Sequence, residues 1–201
     1  MTELGDVEES WPVVRSEDLH RDDWVMALRA DWITPPETSP SHRDGQSFRR
    51  LVLEHPGAAV VLAVDDDDRV VCVSQYRHPA QRRFVELPAG LCDADGEDPL
   101  EVAKRELQEE VLLSAEEWTH LTSTYSSPGI SAERIHYYLA RGLRDVSRGD
   151  FELEHEEADM RVFRVPFADL LAAVMDGRVT DAPVIIAVLM AHTRGLVGPR
   201  P

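Results

Sequence analysis

Five glutamates fall within fourteen residues of this sequence: Glu97, Glu101, Glu106, Glu109 and Glu110. The last three lie in "AKRELQEEVLL", residues 103–113. In a helix, about 100° per residue sets Glu109 and Glu110 about 60° and 40° to either side of Glu106, so all three share one face. Carboxylates crowded in this way repel one another unless solvent, basic partners or a cation relieves them. One reading is the solvated face of an acidic protein. The other is a set of oxygen donors of the kind that hard cations such as magnesium or manganese accept. Two local details weaken the first. Leu107 and Val111 continue an apolar stripe begun by Leu100 and Ala103, which puts Glu110 at the margin of the buried face. Lys104 and Arg105 can pair with only some of the acids.

The surrounding elements must hold that face in place. Pro99 suits a first helical turn, and the stripe predicts a helix over 99–112. Upstream, "FRRLVLEH", "AAVVLAV" and "RVVCVSQYR" are short β-branched runs between polar turns and predict strands of a sheet. The "DDDD" run, 65–68, predicts a solvated hairpin turn, because it lacks the alternating ligands of a calcium loop. Downstream, "WTHLTSTYSS" and "RIHYYLARGL" predict strands around a Ser-Pro-Gly turn, and "MRVFRVP" another strand. "FADLLAAVMDGRV" and "APVIIAVLMAHTRG" predict two helices ended by Gly177 and Gly195. Near the N-terminus, "WPVVRSEDLHRDDWVMALRADWI" predicts two strands with a turn around Leu19 to Asp22, followed by the proline-broken loop "TPPETSPSHRDGQS". Strands around one central helix, with two helices at the end, imply a layered α/β fold. The expected division is an N-terminal strand region and loop over 1–46, a main domain over 47–192 and a tail over 193–201.

Composition bounds the function. A chain of 201 residues that is 43% hydrophobic can bury one substantial core. With 38 acids against 21 Lys plus Arg, the formal charge is -17, which argues against nucleic acid or anionic lipid as a partner. Cys72 and Cys92 form neither a metal-type CxxC nor a disulfide framework. "MTELGDVEESW" has no apolar leader segment, and no apolar run approaches about 18 residues, so the expectation is a soluble, cytoplasmic protein.

Glu97, seven residues, then Arg105 to Leu113 resembles the box of the Nudix hydrolase family, written Gly, five residues, Glu, seven residues, Arg-Glu-apolar-x-Glu-Glu-x-Gly-apolar. There are two departures. Six residues rather than five separate Gly90 from Glu97, and Leu112 stands where the box has glycine. The extra residue falls in a loop that absorbs it easily. A glycine there supplies a left-handed cap that leucine adopts only at a cost. The alternative is a helix that runs on half a turn, to Ser114. Over roughly 47–192, "QYRHPAQRRFVELPAG" (75–90), "SPG" (127–129) and "HEEADM" (155–160) resemble, in order, the ADP-ribose pyrophosphatase branch.

That resemblance implies a Nudix-type α/β/α sandwich with a mixed central sheet, and N-terminal strands that cross over in a homodimer to help enclose the adenosine. It implies that the Ala89 carbonyl and the carboxylates of Glu106, Glu109 and Glu110 hold magnesium or manganese, with Glu109 and Arg105 counted among the catalytic groups and Arg105 orienting the box glutamates. Arg77 would clamp phosphate, Glu86 would contact the ribose or phosphate end, and Arg50 would lie on the adenosine side. The catalytic base would come from "FELEHEEADM": alignment on "MRV" favours Glu156, while the density of acids keeps Glu157 open. Trp11, Trp24 and Trp32 are read as adenine-stacking residues or as interface and core aromatics. His78, His136 and His155 lack ligand spacing and are read as structural or exposed. The implied function is metal-dependent hydrolysis of ADP-ribose, or a related nucleoside diphosphate sugar, to AMP and a sugar phosphate. Alternatives are another nucleoside diphosphate derivative as substrate, or a degenerate nucleotide sensor, the latter motivated by Leu112 and the longer loop.

Overall fold

Strand β4 (Ala58–Ala63) and strand β5 (Arg69–Arg77) are apolar on both faces, and alternate side chains enter two different cores. Val60, Leu62, Val70 and Cys72 pack with helices α2 (Phe167–Met175) and α3 (Ala182–Thr193). Ala59, Val61, Val71 and Val73 pack with helix α1 (Pro99–Val111). A strand whose period of two is buried on both sides needs a helical layer on each face, which is how these runs produce the α/β/α arrangement. A computed structural model describes residues 4–21, 26–41, 45–94, 96–147 and 159–198.

The other strands are β1 (Val13–Arg21), β2 (Ala27–Ile33), β3 (Phe48–Glu54), β6 (Arg82–Glu86), β7 (Ala89–Leu91), β8 (Leu113–Tyr125), β9 (Arg134–Asp145) and β10 (Arg161–Pro166). Contacts divide the chain into two units. The first contains the described residues up to Pro56 with Tyr125–Glu133, and the second contains the described parts of 57–124 and 134–201. In the first, β1, β2 and β3 form an antiparallel sheet in that order, and every residue of β1 is exposed. The second holds a mixed sheet of order β7-β4-β9-β8, with β4 parallel to β9 and antiparallel to β7, and an antiparallel sheet of order β10-β5-β6. Among the described residues no helix is long and apolar enough to cross a membrane.

Most expected elements are present, with instructive differences. β1 runs straight through Leu19, where the turn was expected to begin, to Arg21, and Asp22, the other end of that expected turn, lies outside the described residues. The short strands β6 and β7 were not anticipated. α1 ends at Val111 and does not run on to Ser114: Leu112 takes the left-handed conformation (φ 60, ψ 37), its N–H bonds to the Gln108 carbonyl at 3.1 Å, and β8 starts at Leu113. Leu113 is almost fully buried in the core beneath α1, and that burial, gained only if the chain turns at once, outweighs the strain at Leu112. Gly177 (φ 70) and Gly195 (φ 65) lie just beyond α2 and α3 as expected. The acidic run at 65–68 is a turn, in which the Asp65 carboxylate accepts the backbone N–H groups of Asp67 and Arg69.

Candidate active site

The acidic face begins with how α1 is started. The Asp98 carboxylate accepts the Leu100 N–H at 2.8 Å and Pro99 opens the first turn, which fixes the phase of every later residue. With that phase, Glu106 (9% exposed) and Glu110 (7% exposed) fall on the buried side together with Val102, Ala103 and Leu107. Two acids so deep are uncommon and need partners. The Ala89 N–H, at the start of β7, donates to Glu110 Oε2 at 3.0 Å. A Cβ added at Gly90 would lie 2.0 Å from Glu106 Cδ, so only glycine lets the β7 backbone pass this close to the carboxylate.

Arg105 ties the acids together. Its Nη1 donates to Glu106 Oε1 (2.7 Å) and Glu109 Oε2 (3.4 Å), and its Nη2 to Glu97 Oε2 (3.3 Å). Burial opposes its charge, but Glu106, Glu97 and Glu109 together hold its pKa above the ordinary arginine value. Lys104, the single lysine among 21 basic residues, pairs outward with Glu101 at 2.7 Å. Among the described residues no three His, Cys, Asp or Glu side chains converge as a ready ion cage. The donor chemistry nonetheless suits a hard divalent ion: three carboxylates on one helix face, with Glu106 against the Gly90 backbone and Glu110 against the Ala89 N–H.

Arg77 and Glu86, expected to touch substrate separately, touch each other. They stand at the ends of β5 and β6, which pair in register from Val73↔Glu86 to Arg77↔Arg82. Arg77 Nε donates to both Glu86 oxygens (3.0 and 3.2 Å) and Nη2 to Oε2 (2.7 Å). Glu86 is buried while the Arg77 side chain remains half exposed. These bonds raise the Arg77 pKa against the pull of burial, with Glu110 and Asp181 adding to the effect. Asp181, which sequence reasoning missed, caps α3 by accepting the Val184 N–H at 3.0 Å. Burial pushes its carboxyl up to about 6; the Val184 bond and Arg77 oppose this and Glu86 reinforces it. The available signal was Asp-Ala-Pro opening an apolar helix, which marks a cap but not the pair it faces.

The first unit contains the other candidates. Arg50 lies over the Phe48 ring (4.4 Å to its centroid), and Trp11 meets Phe48 edge-on at 6.3 Å. These three residues, with Glu9, Ile33 and Ser41, line a cleft of about 880 Å³. A second cleft, about 530 Å³, lies between Arg50–Val52 and the Ser-Pro-Gly turn. Trp32 is faced by the guanidinium groups of Arg15 and Arg49. His78 is exposed beside Tyr76, and His136 Nδ1 meets Ser123 Oγ at 3.0 Å. Glu156, Glu157, Trp24 and His155 lie outside the described residues.

Residues 53–187 match the model of the NUDIX domain family. The chain is 41% identical over 196 residues to an ADP-ribose pyrophosphatase of Mycobacterium tuberculosis, covering 96% of this chain and 90% of that protein. It is 38% identical over 145 residues to an ADP-ribose pyrophosphatase of Bacillus subtilis, covering 72% and 77%. The crystal structure of an ADP compounds hydrolase superposes with a TM-score of 0.72 over 96% of this chain and 100% of that one; at 20% identity this is a likeness of fold. The chain therefore belongs to the Nudix family and is a Nudix diphosphatase, an enzyme rather than a degenerate sensor. Within the family it falls in the ADP-ribose pyrophosphatase branch, whose members in general depend on a divalent metal.

Proposed function

We propose that this enzyme hydrolyses the diphosphate of ADP-ribose, or of a closely related nucleoside diphosphate sugar, to AMP and a sugar phosphate. The observation that carries the reading is the pair of buried acids, Glu106 and Glu110, set against the β7 backbone with Arg77 in electrostatic reach of Glu110. The relatives named ADP-ribose pyrophosphatase support the choice of substrate.

Each group then has one task. Glu106, Glu109, Glu110 and the Ala89 carbonyl would hold magnesium or manganese, which when bound neutralises phosphate charge and makes a bound water more acidic. Arg105 keeps the box carboxylates oriented through its three bonds. Arg77 offers a charged fork to a phosphate, and Glu86 fixes that fork, so the clamp is already aimed before substrate arrives. Glu156 or Glu157 accepts the proton from the attacking water, whose oxygen joins phosphorus as the bridging oxygen leaves. Arg50, Phe48 and Trp11 offer a cation and two ring faces to the nucleoside. The working form is a cytoplasmic homodimer.

The test is incubation with ADP-ribose and magnesium, followed by chromatography for AMP. Wild type should produce AMP, and Glu110→Gln should lower kcat by about 100-fold or more, by loss of a metal-site carboxylate. No AMP from any of several nucleotide sugars with several divalent ions overturns the reading. AMP-type products from another sugar nucleotide alone would narrow the substrate instead.

A further inference from the structure

Six polar residues are buried among the described residues, and five of them have hydrogen-bond partners. Asp31 is held by Ser16 and Arg29, Glu86 by Arg77, Glu106 by Arg105, Glu110 by the Ala89 N–H and Ser131 by the Glu133 N–H. Gln75, only 3% exposed, is the exception: its amide neither donates to nor accepts from any group among the described residues. A buried amide left in this way is destabilising, so a fold seldom keeps one without a use. Nor is the amide walled in. Among the described residues the one side-chain polar atom both sealed from solvent and without a partner is His192 Nδ1, so the Gln75 amide, unpartnered as well, keeps an opening to solvent.

The register of β5 shows what that opening adjoins. Val71 and Val73 pack with α1, and alternation puts Gln75 and then Arg77 next on the same face of the strand. Across the ladder, Val73 stands opposite Glu86, Gln75 opposite Phe84 and Arg77 opposite Arg82. The bonds from Arg77 to Glu86 therefore cross the rung of Gln75 and Phe84, and the idle amide lies between the cation and the carboxylate in one polar patch. An arginine fork suits phosphate oxygens, which only accept. A carboxamide both donates and accepts, and the group that answers it in kind is a hydroxyl. Two residues of strand, about 6–7 Å, separate it from Arg77, which is the span from a phosphate to a sugar hydroxyl beside it.

We propose that Gln75 is a specificity residue whose amide hydrogen-bonds a sugar hydroxyl next to the phosphate that Arg77 holds. This rests on the reading of Arg77 as the phosphate clamp. A diphosphate sugar carries such hydroxyls on its terminal sugar and on its nucleoside ribose, and the test separates the two. The full-length enzyme with magnesium is given ADP-ribose, the methyl ester of ADP, which has no terminal sugar, and a dideoxy analogue without hydroxyls on the nucleoside ribose. For an analogue that is not turned over, its inhibition constant replaces kcat/KM. Gln75→Met should lower kcat/KM for ADP-ribose about 10-fold and leave one analogue within about 2-fold, and that analogue names the sugar that is read. The same substitution should raise Tm by about 2–4 °C, because a thioether of similar length misses no partner. A merely structural glutamine would lower activity and Tm together. Gln75→Leu should show the same division between substrates and covers the case in which the methionine variant fails to fold. An equal loss with all three compounds, an unchanged kcat/KM for ADP-ribose, or a lowered Tm in both variants overturns the proposal alone. Arg77→Met should raise KM about 10-fold or more for all three, and an unchanged KM removes the clamp and the proposal with it.

Discussion

Two backbone positions decide the chemistry of the acidic face, and the sequence exposed only one of them. Leu112 was visible as a departure from the box, but whether it meant a strained cap or a longer helix depended on where Leu113 finds burial, which no local pattern contains. An L residue in the left-handed region costs about 1–2 kcal/mol, and glycine gives back part of that through its looser unfolded chain. Leu112→Gly should therefore raise stability by about 0.5–1 kcal/mol, since a side chain 40% exposed forfeits little burial. Thermal unfolding checks it, and an unchanged or lower Tm contradicts the strain. Gly90 stands out in the sequence only by its spacing, yet its missing Cβ is what admits Glu106. Gly90→Ala should destabilise the protein by about 1–3 kcal/mol and raise the metal concentration needed for half-maximal activity. Melting and metal titration of activity measure the two effects, and a normal metal requirement would free Glu106 from this contact.

At the scale of elements, what was legible followed burial. Runs apolar on both faces announced β4 and β5, and the stripe announced α1, because each pattern repeats over enough residues to stand out. β6 and β7, of five and three residues, are too short to show a period. The Arg77–Glu86 bond was hidden for another reason: it depends on the register of β5 on β6, set by the tight turn at His78–Ala80 and the left-handed Gln81 (φ 50). Residue types could name both partners but not place them against each other. α3 adds a pH dependence of its own. Because the Asp181 pKa is raised on folding to about 6, the folded state retains a proton that the unfolded state releases nearer 4, so stability falls as pH climbs through that window and is flat above it. Asp181→Asn keeps the helix cap and removes the titration. Between pH 4.5 and 7.5 in metal-free buffer, its stability relative to wild type should grow by about 1–2 kcal/mol, the full shift being discounted for partial exposure. Denaturant unfolding at the two pH values reads this, and a gap that shrinks with pH contradicts it.

For the molecule as a whole, the resemblance located the family while the composition located very little. A charge of -17 spoke against nucleic acid, yet the site itself carries Arg77 and Arg105 among its acids. β1 is exposed along its length, and in the proposed homodimer a second copy would cover it. Light scattering after gel filtration should give twice the chain mass, and a clean monomer would contradict the crossover. The near-absence of lysine has a quieter consequence for kinetics. Arginine holds its proton throughout the working range, the one ε-amine faces away from the box carboxylates against Glu101, and burial drives the Cys72 thiol up to about 12 and raises Cys92 and Tyr138. Neither thiol of this chain therefore ionises in the ordinary cysteine range. An ionisation seen in turnover between about pH 8 and 9, where thiols ordinarily lose their protons, is then not theirs, and the attacking water becomes a leading candidate for it.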